Sequence, residues 1–162
     1  MLNNDVTVTG NIVADIFTSI STTDADFVVK LIDVFPDSLS YNKVDIYAET
    51  DPQWKYPMGG YEMLVHGEVF RGRYRNSYEK PEPFKPGAIT EVKYKLGDIA
   101  HTFRKGHRIM VQVQSNWFPL VDRNPQQFID IYHATDADFQ KATIDIYHNA
   151  QNASKLILPV LP

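Results

Sequence analysis

Apolar and polar residues alternate along most of this chain with a period of two, the repeat that puts successive side chains on opposite faces of a strand. Val6, Val8, Ile12, Ile16 and Ile20 share one parity, with the small residues Gly10, Ala14 and Thr18 at the positions between them. Val92, Tyr94 and Leu96 alternate with Glu91, Lys93 and Lys95, which predicts a strand with one dry face and one wet face. Ile109, Val111 and Val113 alternate with Met110, Gln112 and Gln114, and Ile144, Ile146 and the closing Leu156-Ile-Leu-Pro-Val-Leu are also strand-like. Phe27 to Val34 is different. It is a nearly continuous apolar run broken only by Lys30 and Asp33, as expected of a strand packed on both faces.

Helical periodicity is scarce. The best stretch is Thr135 to Ala142, where Thr135 can cap a short helix and Asp138 follows three residues later. Turn signals at Phe35-Pro-Asp-Ser, Lys55-Tyr-Pro-Met-Gly-Gly, Pro81-Glu-Pro and Lys105-Gly106 separate the strand-like runs. Residues 36–61 are expected to form a long loop leaving the scaffold. Many short strands with turn punctuation predict an all-β, antiparallel β-sandwich with one or two short helices. The pentapeptide Ile-Asp-Ile-Tyr-His occurs at 129–133 and again at 144–148; two alternating strands of similar composition are the expected source of this echo.

Composition then narrows the function classes. At 162 residues the chain is read as a single domain, 1–162. It has no cysteine, which removes disulfides and thiolate metal sites and leaves the compartment open, a periplasmic or secreted parent included. A net charge of −4 with both signs mixed argues against nucleic acid as a partner. No apolar run approaches the ~20 residues of a membrane span, so no membrane partner is expected. The N-terminus Leu2-Asn3-Asn4-Asp5 lacks the pattern of a secretion signal, and Met1 stands just before the first strand-like run, where an excised fragment would begin.

Candidate chemistry is thin. No serine has glycine two residues before it, so the elbow Gly-x-Ser-x-Gly is missing; Ser115, at a strand end, is expected to satisfy nearby backbone instead. The histidines at 66, 101, 107, 133 and 148 form no metal-binding spacing, and His107 is expected to make a structural hydrogen bond. Asp24/Asp26 and Asp136/Asp138 lack the glycine and downstream carboxylate of a calcium loop and are expected to cap exposed N–H groups. No catalytic residue, metal or cofactor is expected.

Two clusters stand out as contact surfaces. Arg71, Arg73 and Arg75, read as an extended strand, would share one face with Tyr74 and Asn76 on the other. Three guanidinium groups in a row require solvent, carboxylates of an adjoining domain, or an anionic ligand opposite them. Trp117-Phe118-Pro119-Leu120, followed by Asp122 and Arg123, is an aromatic cluster at a strand end that is either buried in the core or marks a binding surface.

Long collinear motifs carry a resemblance. They are Gly67-Glu-Val-Phe-Arg-Gly-Arg-Tyr-Arg-Asn-Ser77, Pro81-Glu-Pro-Phe-Lys-Pro-Gly87, Lys105-Gly-His-Arg-Ile-Met-Val-Gln-Val-Gln-Ser115, Asp24 to Val34 and Trp117 to Pro125. The chain, from Asp5 to Pro162, resembles the C-terminal domain of X-Pro dipeptidyl-peptidase-like hydrolases. That group includes cocaine esterase, α-amino acid ester hydrolases and glutaryl-7-aminocephalosporanic acid acylases, and the last two are the nearest branch. The resemblance implies a jelly roll of galactose-binding-domain type. It also implies, as partner, an α/β-hydrolase domain of the same parent chain, which would carry the serine nucleophile and act on a small ester, amide or peptide substrate. Segments 71–77 and 116–124 are then the expected contacts with that domain or with the substrate wall. Two rival readings are a carbohydrate-binding jelly roll, with Trp54, Tyr56, Tyr61 or Trp117 as a sugar platform, and an assembly domain that makes the parent a homo-oligomer.

Overall fold

The computed structural model describes residues 1–39 and 58–162. Its strands are β1 (Val6–Ile20), β2 (Asp26–Val34), β3 (Glu62–Arg71), β4 (Thr90–Phe103), β5 (Arg108–Gln114), β6 (Ile144–Tyr147) and β7 (Lys155–Ile157). Among the described residues they form two antiparallel sheets, one ordered β4-β1-β6 with β7 also on β1, the other β3-β2-β5. This is the expected all-β antiparallel sandwich. Of the expected 36–61 loop, residues 40–57 lie outside the described residues. Among the described residues no helix is long and apolar enough to cross a membrane.

The period-two pattern determines which face each strand buries. Val8, Ile12, Ala14, Ile16, Thr18 and Ile20 of β1 point into the core, against Phe27, Val29 and Leu31 of β2. Every residue of β2 except Lys30 is buried, in keeping with its unbroken apolar run. On β4 the buried parity switches midway. Val92, Tyr94 and Leu96 face inward before a bulge; Ile99, His101 and Phe103 are the more buried set after it. At the bulge Ile12 pairs with Gly97 and Val13 with Lys95, so Leu96 has no partner. Gly97 sits there at φ +117, a backbone conformation open to glycine and strained for other residues. The carbonyl of Leu96 accepts a 2.6 Å hydrogen bond from His66 Nε2 on β3, which ties the two sheets together at the irregularity.

The sheets are further joined by polar groups. Tyr94 donates its hydroxyl to the Phe27 carbonyl at 3.2 Å, and burial pushes its phenol pKa up. Asp33, the odd carboxylate in the apolar run of β2, is buried and takes both His101 Nε2 (3.0 Å) and His107 Nδ1 (2.8 Å). The structural hydrogen bond expected of His107 is therefore present, with its ring also packed on Phe35 at 4.7 Å.

Two local expectations change. The helix expected from Thr135 to Ala142 is only one 3-10 turn, Asp136–Asp138. The Asp138 carboxylate accepts from both the N–H and the hydroxyl of Thr135 at 2.8 Å, so the capping residues are used, but Phe139 is already extended. The first copy of the repeated pentapeptide is not a strand. Residues Ile131–His133 form a 3-10 turn, whereas Ile144–Tyr147 of the second copy is β6.

Candidate domain-contact sites

Arg71 is the last residue of β3, and Gly72–Tyr74 then turn as a 3-10 helix, so the three arginines do not share a strand face. Close packing requires glycine at the start of this turn. Gly72 lies against Phe84, Phe27 and the Ala25 carbonyl, and an added Cβ would come within 2.8 Å of that carbonyl. Each arginine consequently finds its own acceptors inside the domain.

Arg73 is buried and is the hub of this region. Its Nε and Nη2 both bond Asp24 Oδ2, its Nη1 donates to the Ile129 carbonyl at 2.9 Å, and its guanidinium lies 4.9 Å from the Phe128 ring centre. Asn124 Nδ2 donates to Asp24 Oδ2 at 3.0 Å and to Asp26 Oδ1 at 2.8 Å, while Arg71 Nη1 reaches Asp26 Oδ2 at 3.1 Å. The expected role of Asp24 and Asp26 as caps of exposed N–H groups is thus corrected, because their carboxylates take side-chain donors instead. They are the buried counter-charges of Arg73 and Arg71. Burial pushes the Asp26 carboxyl up to about 6, a rise that the Asn124 amide and Arg71 partly oppose and the neighbouring Asp24 reinforces.

Arg75 serves the following loop. Its Nη1 donates to the Gly72 and Glu82 carbonyls and its Nη2 to the Pro83 carbonyl at 2.8 Å, with the guanidinium 4.2 Å above Phe84. Burial pulls its pKa down from the ordinary value, against the opposing pull of Glu82 and Asp24. Asn76 bonds Glu82 Oε2 at 2.8 Å, and Tyr74 stacks loosely on Tyr78. Arg71, Arg73 and Tyr74 also line a pocket of about 450 Å³ whose other wall is Phe128 to Tyr132.

The aromatic cluster splits between the two readings offered for it. Trp117 is half-buried, edge-on to Gly67 of β3 so closely that a Cβ there would lie 2.8 Å from its ring, with Lys30 Nζ 4.2 Å from the ring centre. Phe118 and Leu120 are exposed, at 63% and 66%. Arg123 bridges Phe118 and Phe139, 5.8 and 5.0 Å from their centroids, and Asp122 is exposed. The structure therefore keeps the 71–76 turn and the 117–123 loop as separate surfaces, linked beneath by Asn124. Of the aromatic platform, Trp54 and Tyr56 lie outside the described residues, and Tyr61 packs edge-on against Phe35.

Sequence reasoning missed Asn124 and the Asp24 and Asp26 pairing. A signal was present: three arginines needing acceptors and two aspartates at the mouth of a nearly continuous apolar run. Among the described residues no group of three His, Asp or Glu side chains is placed to hold a metal ion.

These features define a β-sandwich domain whose buried ionic groups are spent on internal ties. The chain belongs to the family of X-Pro dipeptidyl-peptidase C-terminal non-catalytic domains, which it matches over residues 1–157. It is 31% identical over 161 residues to cocaine esterase of Rhodococcus sp. (strain MB1 Bresler), covering 99% of this chain and 24% of that protein. Among solved structures it is similar to an aminopeptidase from the marine sediment archaeon Thaumarchaeota archaeon (38% identity, TM-score 0.86) and to an α-amino acid ester hydrolase (39% identity, TM-score 0.87). Each match covers 99% of this chain and 24% of the other, so the chain spans about a quarter of the length of these relatives. In them the matching domain sits in the same chain as the rest of a hydrolase.

Proposed function

We propose that this chain is the C-terminal accessory domain of a larger serine hydrolase of the acylase, dipeptidyl-peptidase or amino acid ester hydrolase type. It packs on an α/β-hydrolase domain of the same polypeptide and forms part of the wall of its active site. The observation that carries this reading is the end-to-end match to a quarter of several hydrolases. In that arrangement the chain is one galactose-binding-like jelly-roll domain, and the parent works by serine attack, an acyl-enzyme and water, with none of those groups supplied from here.

The contact surfaces proposed for it are Arg71, Tyr74 and Asn76 on one turn and Trp117, Phe118, Asp122 and Arg123 on the other loop. Arg73 and Arg75 act behind them by fixing the turn. Phe118 and Leu120, both exposed on one loop, suit burial against a neighbouring domain. The test is a chimera in which this chain replaces the C-terminal quarter of the α-amino acid ester hydrolase. A soluble chimera with ester turnover near the parent's is expected, together with no turnover by the isolated chain. A truncated hydrolase that is as active and stable as the chimera would overturn the reading.

A further inference from the structure

The two long sides of the sandwich are not closed alike. On one side β3 packs over β4, with Phe70 stacked on Tyr94 at 4.6 Å. On the other, Val111 and Val113 of β5 stand opposite Leu31 and Val29 and share their inward face, yet remain 43% and 40% exposed. Here β5 and β6 are edge strands of their sheets among the described residues. Between them run two adjoining hollows of about 280 and 240 Å³ that share Ser115, Ala142 and Ile144. Phe27, Val113 and Ile146 line the first hollow, and Phe139, Asn124 and Gln126 the second.

A second observation points to what belongs there. Gln126 adopts φ +64, a left-handed backbone that is uncommon for a side chain of its kind, and its Oε1 is buried without a hydrogen-bond partner. A buried acceptor left open costs about 1–3 kcal/mol; Oε1 is closed to water, so a donor in the hollow reaches it only once the Gln126 side chain turns into the space that the residue lines. The lining is otherwise apolar or uncharged, apart from Asp26, already held by Arg71 and Asn124, and Arg123 at the rim. The occupant that fits is an uncharged extended segment whose side chains fill the hollows and whose backbone pairs with the edge of β5 that is unpaired among the described residues. Three-quarters of each matched relative lies outside the portion corresponding to this chain, which supplies such a segment in the same polypeptide.

We infer that the trough between β5 and β6 is closed by an extended apolar segment of the catalytic part of the same polypeptide; this rests on the proposed domain role. The experiment compares amide hydrogen exchange of the isolated chain with that of the ester hydrolase chimera. Exchange at 109–113 and 144–146 is expected to slow by about tenfold or more in the chimera, the factor given by 1.4 kcal/mol of added protection. Val113→Asp is expected to abolish that protection while lowering the melting midpoint of the isolated chain only modestly, since its side chain is 40% exposed there. Gln126→Met is expected to reduce the protection by a smaller factor.

An active chimera whose 109–113 amides exchange as fast as in the isolated chain would overturn the trough and leave the domain role standing. If the chimera does not assemble, the domain role falls and the trough is tested directly. The isolated chain is then titrated with 15-residue peptides tiling the catalytic part of the ester hydrolase. A peptide that protects 109–113 and fails against Val113→Asp supports the trough, and silence across the set overturns it.

Discussion

The same five residues, Ile-Asp-Ile-Tyr-His, make a 3-10 turn at 131–133 and an edge strand at 144–147. In the first copy Asp130 accepts from the Tyr132 N–H at 3.1 Å and from His133 Nδ1 at 2.7 Å, closing the chain on itself. In the second, Ile144 and Ile146 pair with Ile20 and Thr18 of β1, and the Asp145 carbonyl accepts from the Thr18 hydroxyl at 2.8 Å. Local sequence is identical, so the outcome is decided by what each copy meets. The second reaches an open strand edge. The first is caught by Arg73, which holds the Ile129 carbonyl, and by Thr23, whose hydroxyl accepts from the Phe128 N–H at 3.0 Å. A strand needs a partner for its ladder, and a turn can use its own aspartate.

The largest break of this contrast is Arg73→Met. It removes the anchor of the first copy and leaves Asp24 buried without its cation, a loss of about 3–5 kcal/mol. Chemical denaturation should show that shift, and amides 128–133 should exchange faster. A variant within about 0.5 kcal/mol of wild type would show that the arginine is not the anchor.

Next in size is a pH effect from the same network. Asp26 has a folded pKa of about 6 against an ordinary 3.8, so between these values the folded state binds more protons than the unfolded one. The stability it contributes is complete below about pH 4 and is lost as pH rises through about 6. A shift of that size corresponds to about 1–3 kcal/mol. The difference in unfolding free energy between wild type and Asp26→Asn should fall by that amount from pH 4 to pH 7. A constant difference would rule out the raised carboxyl. Asp15, Asp130 and Asp138 are shifted down, so their contributions change below the ordinary carboxylate value, outside this window. For Asp15, burial raises the pKa, and the ammonium groups of Lys93 and Lys155 more than offset it.

Thr18→Val sharpens the contrast from the strand side. It withdraws the donor from the Asp145 carbonyl at a position with no exposure and should cost about 1 kcal/mol, read from the denaturation midpoint. Smallest is Asp130→Ala, which should speed exchange at Tyr132 and His133 and leave the midpoint where it was. A midpoint change as large as that of Thr18→Val would mean that the exposed turn matters more to the fold than its partner strand.

Much of the scaffold was legible because burial in a sheet repeats every two residues. The parity of β1, the two-faced burial of β2 and the dry face of β4 up to Leu96 all follow from sequence. Beyond Leu96 the pattern slips by one residue, and only the Gly97 bulge explains why Ile99, His101 and Phe103 face inward. The contact candidates were legible as residue types and not as geometry. Reading Arg71, Arg73 and Arg75 as alternating strand residues gave one cationic face; the turn at Gly72 gives three separate guanidinium groups with three separate sets of acceptors.

By itself, then, the sequence determined the all-β sandwich, the strands that build it and the hydrolase family to which the domain belongs. Alternation and long collinear motifs are properties of the chain that need no neighbours to be read. The tertiary structure alone decided that Asp24 and Asp26 answer the arginines from nearly fifty residues away, that one pentapeptide turns while its twin pairs, and that Val111 and Val113 of β5 are left exposed among the described residues. Each of these depends on which groups meet across the fold, where a buried charge must find its counter-charge and a strand must find its edge.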